Sequence, residues 1–213
     1  MEGRYDLSLQ LLLTSGRCLV SSEALVHWCF ARGANPNAVS LDPKHTILHE
    51  AARRATLSTV AMIVEAGGDV SPTGPSAGLL GYAASTHSAT HDRRSVIQHL
   101  LDHGAGIDMV SGTNIDWNHD LSGDLQVWSR MNALHRSVQY GKKDLVEFLL
   151  DRGADPEIEA WGLITGYTYI NVENLARMCG HDDIVEVLMH FRGNRAQKDL
   201  GSVRSTSPAD SNT

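Results

Sequence analysis

The sequence predicts an all-α protein, a solenoid of short helix-turn-helix units with turn or hairpin loops between them, about five units long. Two observations predict it. First, one stop signal recurs along the 213-residue chain. It appears as Ala31-Arg32-Gly33-Ala34-Asn35, Glu65-Ala66-Gly67-Gly68-Asp69, Asp102-His103-Gly104-Ala105-Gly106 and Asp151-Arg152-Gly153-Ala154-Asp155. Each copy follows an apolar helical stretch, such as Val60-Ala61-Met62-Ile63-Val64 or Leu145-Val146-Glu147-Phe148-Leu149-Leu150. Glycine accepts the left-handed backbone that closes a helix, and Asn or Asp then turns the chain. Second, the leading glycines Gly33, Gly67, Gly104 and Gly153 are 34, 37 and 49 residues apart. That is a repeat period near 33 with insertions.

The other half of each unit agrees. Thr46-Ile47-Leu48-His49-Glu50-Ala51-Ala52 opens one helix, Asn132-Ala133-Leu134-His135 another, and Gly78-Leu79-Leu80-Gly81-Tyr82-Ala83-Ala84 is a degenerate copy. Gly141-Lys142-Lys143-Asp144-Leu145-Val146-Glu147 and Gly180-His181-Asp182-Asp183-Ile184-Val185-Glu186 supply turns between paired helices. These segments together resemble the ankyrin repeat family, whose first helix begins Thr-Pro-Leu-His-x-Ala-Ala. The resemblance spans roughly residues 7–192 and implies units near 5–38, 44–72, 76–108, 130–157 and 171–192. An insertion fills 109–130, and residues 193–213, which are rich in small and polar side chains, are expected to be a disordered tail. For His49 and His135 the resemblance implies hydrogen bonds to turn backbone that link neighbouring units. The chain departs from the pattern at Ile47 (the family's proline), Ala55 (its inter-helix glycine), Gly81 and Asn174 (its histidine). Degenerate first and last units are expected because their outer faces meet solvent. The segment Trp28–Asn37 is also similar to ankyrin units frequent in filamentous fungi.

Composition narrows the function classes. Hydrophobic residues make up 42%, and 18 basic against 25 acidic residues give a net charge of −7. A general binder of nucleic-acid backbone would show the opposite balance, so no nucleic-acid partner is expected. Three cysteines, Cys18, Cys29 and Cys179, fall at no metal-ligand spacing and form no disulfide framework. That usage fits a reducing, intracellular compartment, cytoplasmic or nuclear. The start of the chain, with Glu2 and Asp6 beside Arg4, makes a poor secretory signal, and no apolar stretch is long enough for a membrane helix.

Function is expected where the period breaks. The stretch Met109–Arg130 has no helical periodicity and holds Trp117 and Trp128 among Asp116, Asp120 and Asp124. The next connection is enlarged too and carries Trp161, Tyr167 and Tyr169. Trp and Tyr offer large contact area at low entropic cost, which suits binding anchors, and the alternative is that they fold back to cap apolar surface beneath the loops. Arg53, Arg54, Arg136 and Tyr140 occupy first-helix positions expected to face a concave surface. The expected partner is another protein, the expected state a monomer, and the expected role that of an adaptor or regulatory subunit.

Rival chemistries are weaker. His87 and His91, and His99 and His103, sit four apart, but the first pair reads as loop and His103 as a last-turn residue, so no metal site is expected. The glycines Gly74, Gly78 and Gly81 follow no strand and lack a Lys-Ser/Thr ending, so they form no phosphate loop. Asp116, His119 and Asp120, with His87 or His91, are the one polar cluster that an accessory or tailoring enzyme of a fungal metabolite pathway could use. No catalytic residue and no cofactor are assigned.

Overall fold

The computed structural model describes residues 22–39, 45–72, 78–85, 93–110, 128–163 and 167–204. Among them run α1 (Glu23–Phe30), α2 (Ile47–Arg54), α3 (Leu57–Glu65), α4 (Leu79–Ala84), α5 (Arg93–Asp102), β1 (Trp128–Ser129), α6 (Ala133–Gln139), α7 (Lys143–Asp151), β2 (Ala160–Leu163), β3 (Tyr167–Ile170), α8 (Val172–Cys179) and α9 (Asp182–Arg204). The chain is mostly helical, as expected.

Local chemistry sets the helix ends. Asn132 Oδ1 accepts from the N–H of His135 at 3.0 Å, Asn171 Oδ1 from that of Asn174 at 3.0 Å, and Thr56 Oγ1 from that of Thr59 at 3.4 Å. Each satisfies a donor that the helix start leaves open. At the stop signals Gly33, Gly67, Gly104 and Gly153 all have positive φ, between 81° and 95°. A side chain there would crowd the backbone, which is why glycine recurs.

The helices lie in two rows. The short helices α2, α4, α6 and α8 each pack on the next, and so do α1, α3, α5, α7 and α9. Small residues serve the first row: Ala51, Ala52, Ala83, Ala84 and Ala133 are buried. Bulkier Val60, Ile63, Val96, Ile97, Leu100, Leu149 and Ile184 fill the space against the second row. One continuous core results. Between neighbouring turns, Asn37 accepts from Asp69 N–H at 2.7 Å and donates to Gly67 O at 2.8 Å, while Asp108 accepts from Asp155 N–H at 3.0 Å. Burial raises the Asp108 pKa, with the Asp155 N–H pulling it down and the Asp155 charge raising it further.

Two features differ from the sequence expectation. The enlarged connections are not loops throughout. Trp128–Ser129 pairs antiparallel with Gly162 and Trp161, and Ala160–Leu163 pairs antiparallel with Tyr167–Ile170. The β-branched and aromatic residues of these runs favour a pleated, half-buried surface over a helix. The last helix also continues past Arg192 to Arg204. Ala196, Gln197 and Lys198 are good helix formers. Arg192 bridges Glu157 at 2.6 Å and Glu173 at 2.8 Å, which ties the helix to the β2 approach and to α8. The expected disordered tail therefore begins with helical residues, and residues 205–213 lie outside those described.

Leu149 is fully buried and Leu57 is 39% exposed. Leu149→Ala should cost about 2–5 kcal/mol of unfolding free energy, through lost transfer and a residual cavity. Leu57→Ala should cost under about 1 kcal/mol. Urea unfolding of the two variants checks this, and equal losses would contradict the core as drawn.

Candidate binding surface

The three-stranded sheet, ordered β1-β2-β3, gathers aromatic residues from both enlarged connections. Trp128 stands opposite Gly162, and Trp161 opposite Tyr169. Alternation along the strands then sorts the faces. Ala160 and Ile170, a facing pair, are buried at 0% and 6%, whereas Tyr169 is 67% exposed and Trp161 half-buried. Trp161 and Tyr169 stand opposite one another in register, at the alternate positions to the buried Ala160 and Ile170. The sheet leads straight into the first row: β1 is followed through Arg130, Met131 and Asn132 by α6, and β3 through Asn171 by α8. Arg130 has φ 57°, a left-handed conformation uncommon for a side-chain-bearing residue. Of the expected anchors, Trp117, Asp116 and Asp124 lie outside the described residues, as do Asp120, His119, His87 and His91. For Trp128 and Tyr167 the backbone register is described.

The first-row polar residues fall into three situations. Arg53 and Arg54 end α2, half-buried, with Arg54 Nε 3.2 Å from Glu50. Tyr140 follows α6 and is half-buried, with Lys142 Nζ 5.7 Å from its ring centre. Arg136 departs from the expected exposed position: it is 7% exposed, with Nη1 3.3 Å from Gln139 Oε1. The arginine stem packs beside Gly81 of α4: a Cβ built there would lie in ordinary contact, 3.9 Å from Arg136 Cγ and 3.7 Å from Met131 O.

The two histidines use their rings within the fold. His49 Nδ1 accepts from the backbone N–H of Thr46 at 3.2 Å and lies 2.9 Å from Thr46 Oγ1, closing the start of α2 as a capping-box side chain does. Its ring stacks on His45 with centres 5.3 Å apart, and Tyr82 of α4 meets both rings edge-on while its hydroxyl hydrogen-bonds His45 Nε2. His45 carries no repeat signal in the sequence, and its contact with Tyr82 marks it only in the folded chain. His135 Nδ1 lies 2.7 Å from Asn132 Oδ1, so that nitrogen carries the proton and donates. Burial lowers the His135 pKa to about 4; the carbonyls of Ile170 and Ile158 pull it up, and Arg136 pushes it down. Nε2 is buried. A fully buried, neutral ring of this kind is a packing and capping group.

His99 and His103 lie on one face of α5 with ring centres 4.2 Å apart. His103 Nδ1 is 2.7 Å from His99 O, which uses the ring to close the helix end. Burial lowers the His99 pKa, and the charges of His103, Asp102 and Glu65 modify it. Among the described residues no three His, Cys, Asp or Glu side chains gather as a metal site, and no helix is long and apolar enough to cross a membrane.

The His135 pKa sets an acid-stability window. Its folded value of about 4 lies below the free value of 6.5, so between the two the unfolded chain binds a proton that the folded chain does not. Stability therefore falls as pH drops from about 6.5 to about 4. His135→Gln should flatten that part of the pH profile of the thermal midpoint. Parallel profiles for the two proteins would refute the assignment.

Residues 129–160 match the family model described as ankyrin repeat. No match to the chain is found among curated proteins. The stretch from Ser129 through α6 and α7 to Ala160, the stretch that sets the aromatic sheet against the first row of helices, is similar to an ankyrin repeat.

Proposed function

We propose that this chain is an intracellular protein-interaction module, an adaptor or regulatory subunit built as about five ankyrin-type units. It binds its partner through the first-row face and the two enlarged connections. The observation that carries the reading is the outward Trp161–Tyr169 pair on a sheet shared by both connections. Tyr169 is 67% exposed and Trp161 half-buried, and aromatic residues of this kind dominate binding energy where a partner covers them. The ankyrin-repeat match supports the same reading, because such repeats are protein-binding units. Trp117, Trp128, Asp116, Asp124 and Tyr167 extend this surface in the proposal, with Arg53, Arg54 and Tyr140 along the first row.

The test is affinity capture with the full chain as bait, identification by mass spectrometry, and a repeat with the double variant Trp161→Ala, Tyr169→Ala. Loss of about 2 kcal/mol or more of binding energy, roughly thirtyfold in affinity, is expected for such anchors. Circular dichroism must show an unchanged helical spectrum. Undiminished capture of every partner by the double variant would refute the proposal.

A further inference from the structure

The C-terminal end of α5 holds two histidines in a fixed relation. The helix closes in one of the recurrent stop signals: Gly104 N–H donates to Leu101 O at 2.9 Å, Ala105 N–H donates to Leu100 O at 2.9 Å, and Gly104 has φ 95°. That pattern locks the last turn, and with it the backbone of His99 and His103. Residues four apart lie on one helical face. Here the two imidazoles stand with ring centres 4.2 Å apart and planes tilted by 43°. His103 is exposed and His99 half-buried beside it, so the pair opens to water on one side.

Each ring keeps a nitrogen for a ligand. His103 Nδ1 lies 2.7 Å from His99 O, so that nitrogen carries the proton and donates, and the lone pair of the neutral ring sits on Nε2. On His99, Nε2 is buried and has no hydrogen-bond partner among the described residues. A buried imidazole nitrogen without a partner is costly, and coordination to a cation satisfies it. Burial lowers the His99 pKa and the charge of His103 lowers it further, against Asp102 and Glu65, which pull it up. The neutral ring, the form that coordinates a metal, is thereby favoured. The surroundings suit a cation as well. Asp102 ends α5 and Glu65 ends α3, and the negative end of the α5 dipole points the same way. Asp102 Oδ1 accepts from Gln98 Nε2 at 2.5 Å, so this carboxylate contributes charge and not a ligand atom.

We infer that His99 and His103 form a two-point clip for a divalent transition-metal ion of the zinc, nickel or copper class, with water in the remaining positions. Imidazole nitrogen suits these ions, whereas magnesium and calcium want a shell of oxygen ligands. Two histidines four apart on a helix are a spacing by which zinc is bound. Two nitrogens on one tetrahedral ion, each about 2.0–2.1 Å from it, stand roughly 3.4 Å apart, within reach of rings whose centres are 4.2 Å apart. No third His, Cys, Asp or Glu gathers with them among the described residues, so the site is an open clip and not a closed structural centre. By sequence alone His103 reads as a helix-ending residue and no metal is expected. In the folded chain, ending the helix occupies only its Nδ1. The clip lies on the second row of helices, and the inference does not depend on the aromatic sheet.

The test titrates zinc chloride alone into the full chain carrying isotope-labelled histidine. One equivalent of zinc should move the Nε2 signals of His99 and His103, leave those of His49 and His135 in place, and raise the thermal midpoint. Magnesium chloride should do neither. His103→Gln should abolish both the shift at His99 and the thermal gain, with an unchanged circular dichroism spectrum. His99→Gln should likewise abolish the shift at His103. If His99→Gln fails to fold, His103→Gln and the imidazole signals of the unaltered chain still decide. No movement at either Nε2, a zinc response confined to other histidines, an equal response to magnesium, or undiminished zinc binding by His103→Gln would overturn the inference.

Discussion

The structure depends on one constraint: a pair of short helices exposes more apolar surface than it can bury alone. Helices of six to ten residues, the lengths of α1 through α8, are too short to be stable by themselves in water. Each exists because its apolar stripe meets the next pair. Alanines in the first row allow close approach of backbones, and branched or long side chains in the second row fill the wider gap. Stability is therefore distributed between neighbours, and each junction must be satisfied in polar as well as apolar terms.

The polar contacts at the junctions are individually modest but repeat with the architecture. Asn37 and Asp108 join stop-signal turns, while Arg93 and Lys142 take up carbonyls at the ends of preceding first-row helices. A cation at the negative end of a helix is favourable, and a carbonyl left buried without a donor is costly. The enlarged connections form a sheet, one face of which closes over the core through Ala160 and Ile170 while the other presents Trp161 and Tyr169.

Several elements could be read in advance, for physical reasons. The stop signals were legible because left-handed backbone almost demands glycine, and Gly33, Gly67, Gly104 and Gly153 adopt it. The helix start at Asn132 is legible because capping is a local transaction between a side chain and an N–H three residues on. The strands were not: Trp128–Ser129 is too short to show alternation, and Tyr167–Ile170 depends on a partner strand for its conformation. The burial of Arg136 is not legible in the sequence because it depends on packing beside α4, where its stem lies against Gly81. His45 was missed because its significance lies in Tyr82, 37 residues away in sequence.

What the sequence by itself determined is therefore what local chemistry encodes: helix ends, repeat period, apolar stripes and the identity of the glycines. The tertiary structure decided what depends on juxtaposition. It joined two separate connections into one sheet, buried Arg136 beside α4, and set Arg93 and Lys142 against the ends of the preceding first-row helices. A hydrogen bond from Arg93 to Ala52 or from Lys142 to Ala84 leaves no mark in either segment, because its energy exists only once the helical pairs are stacked.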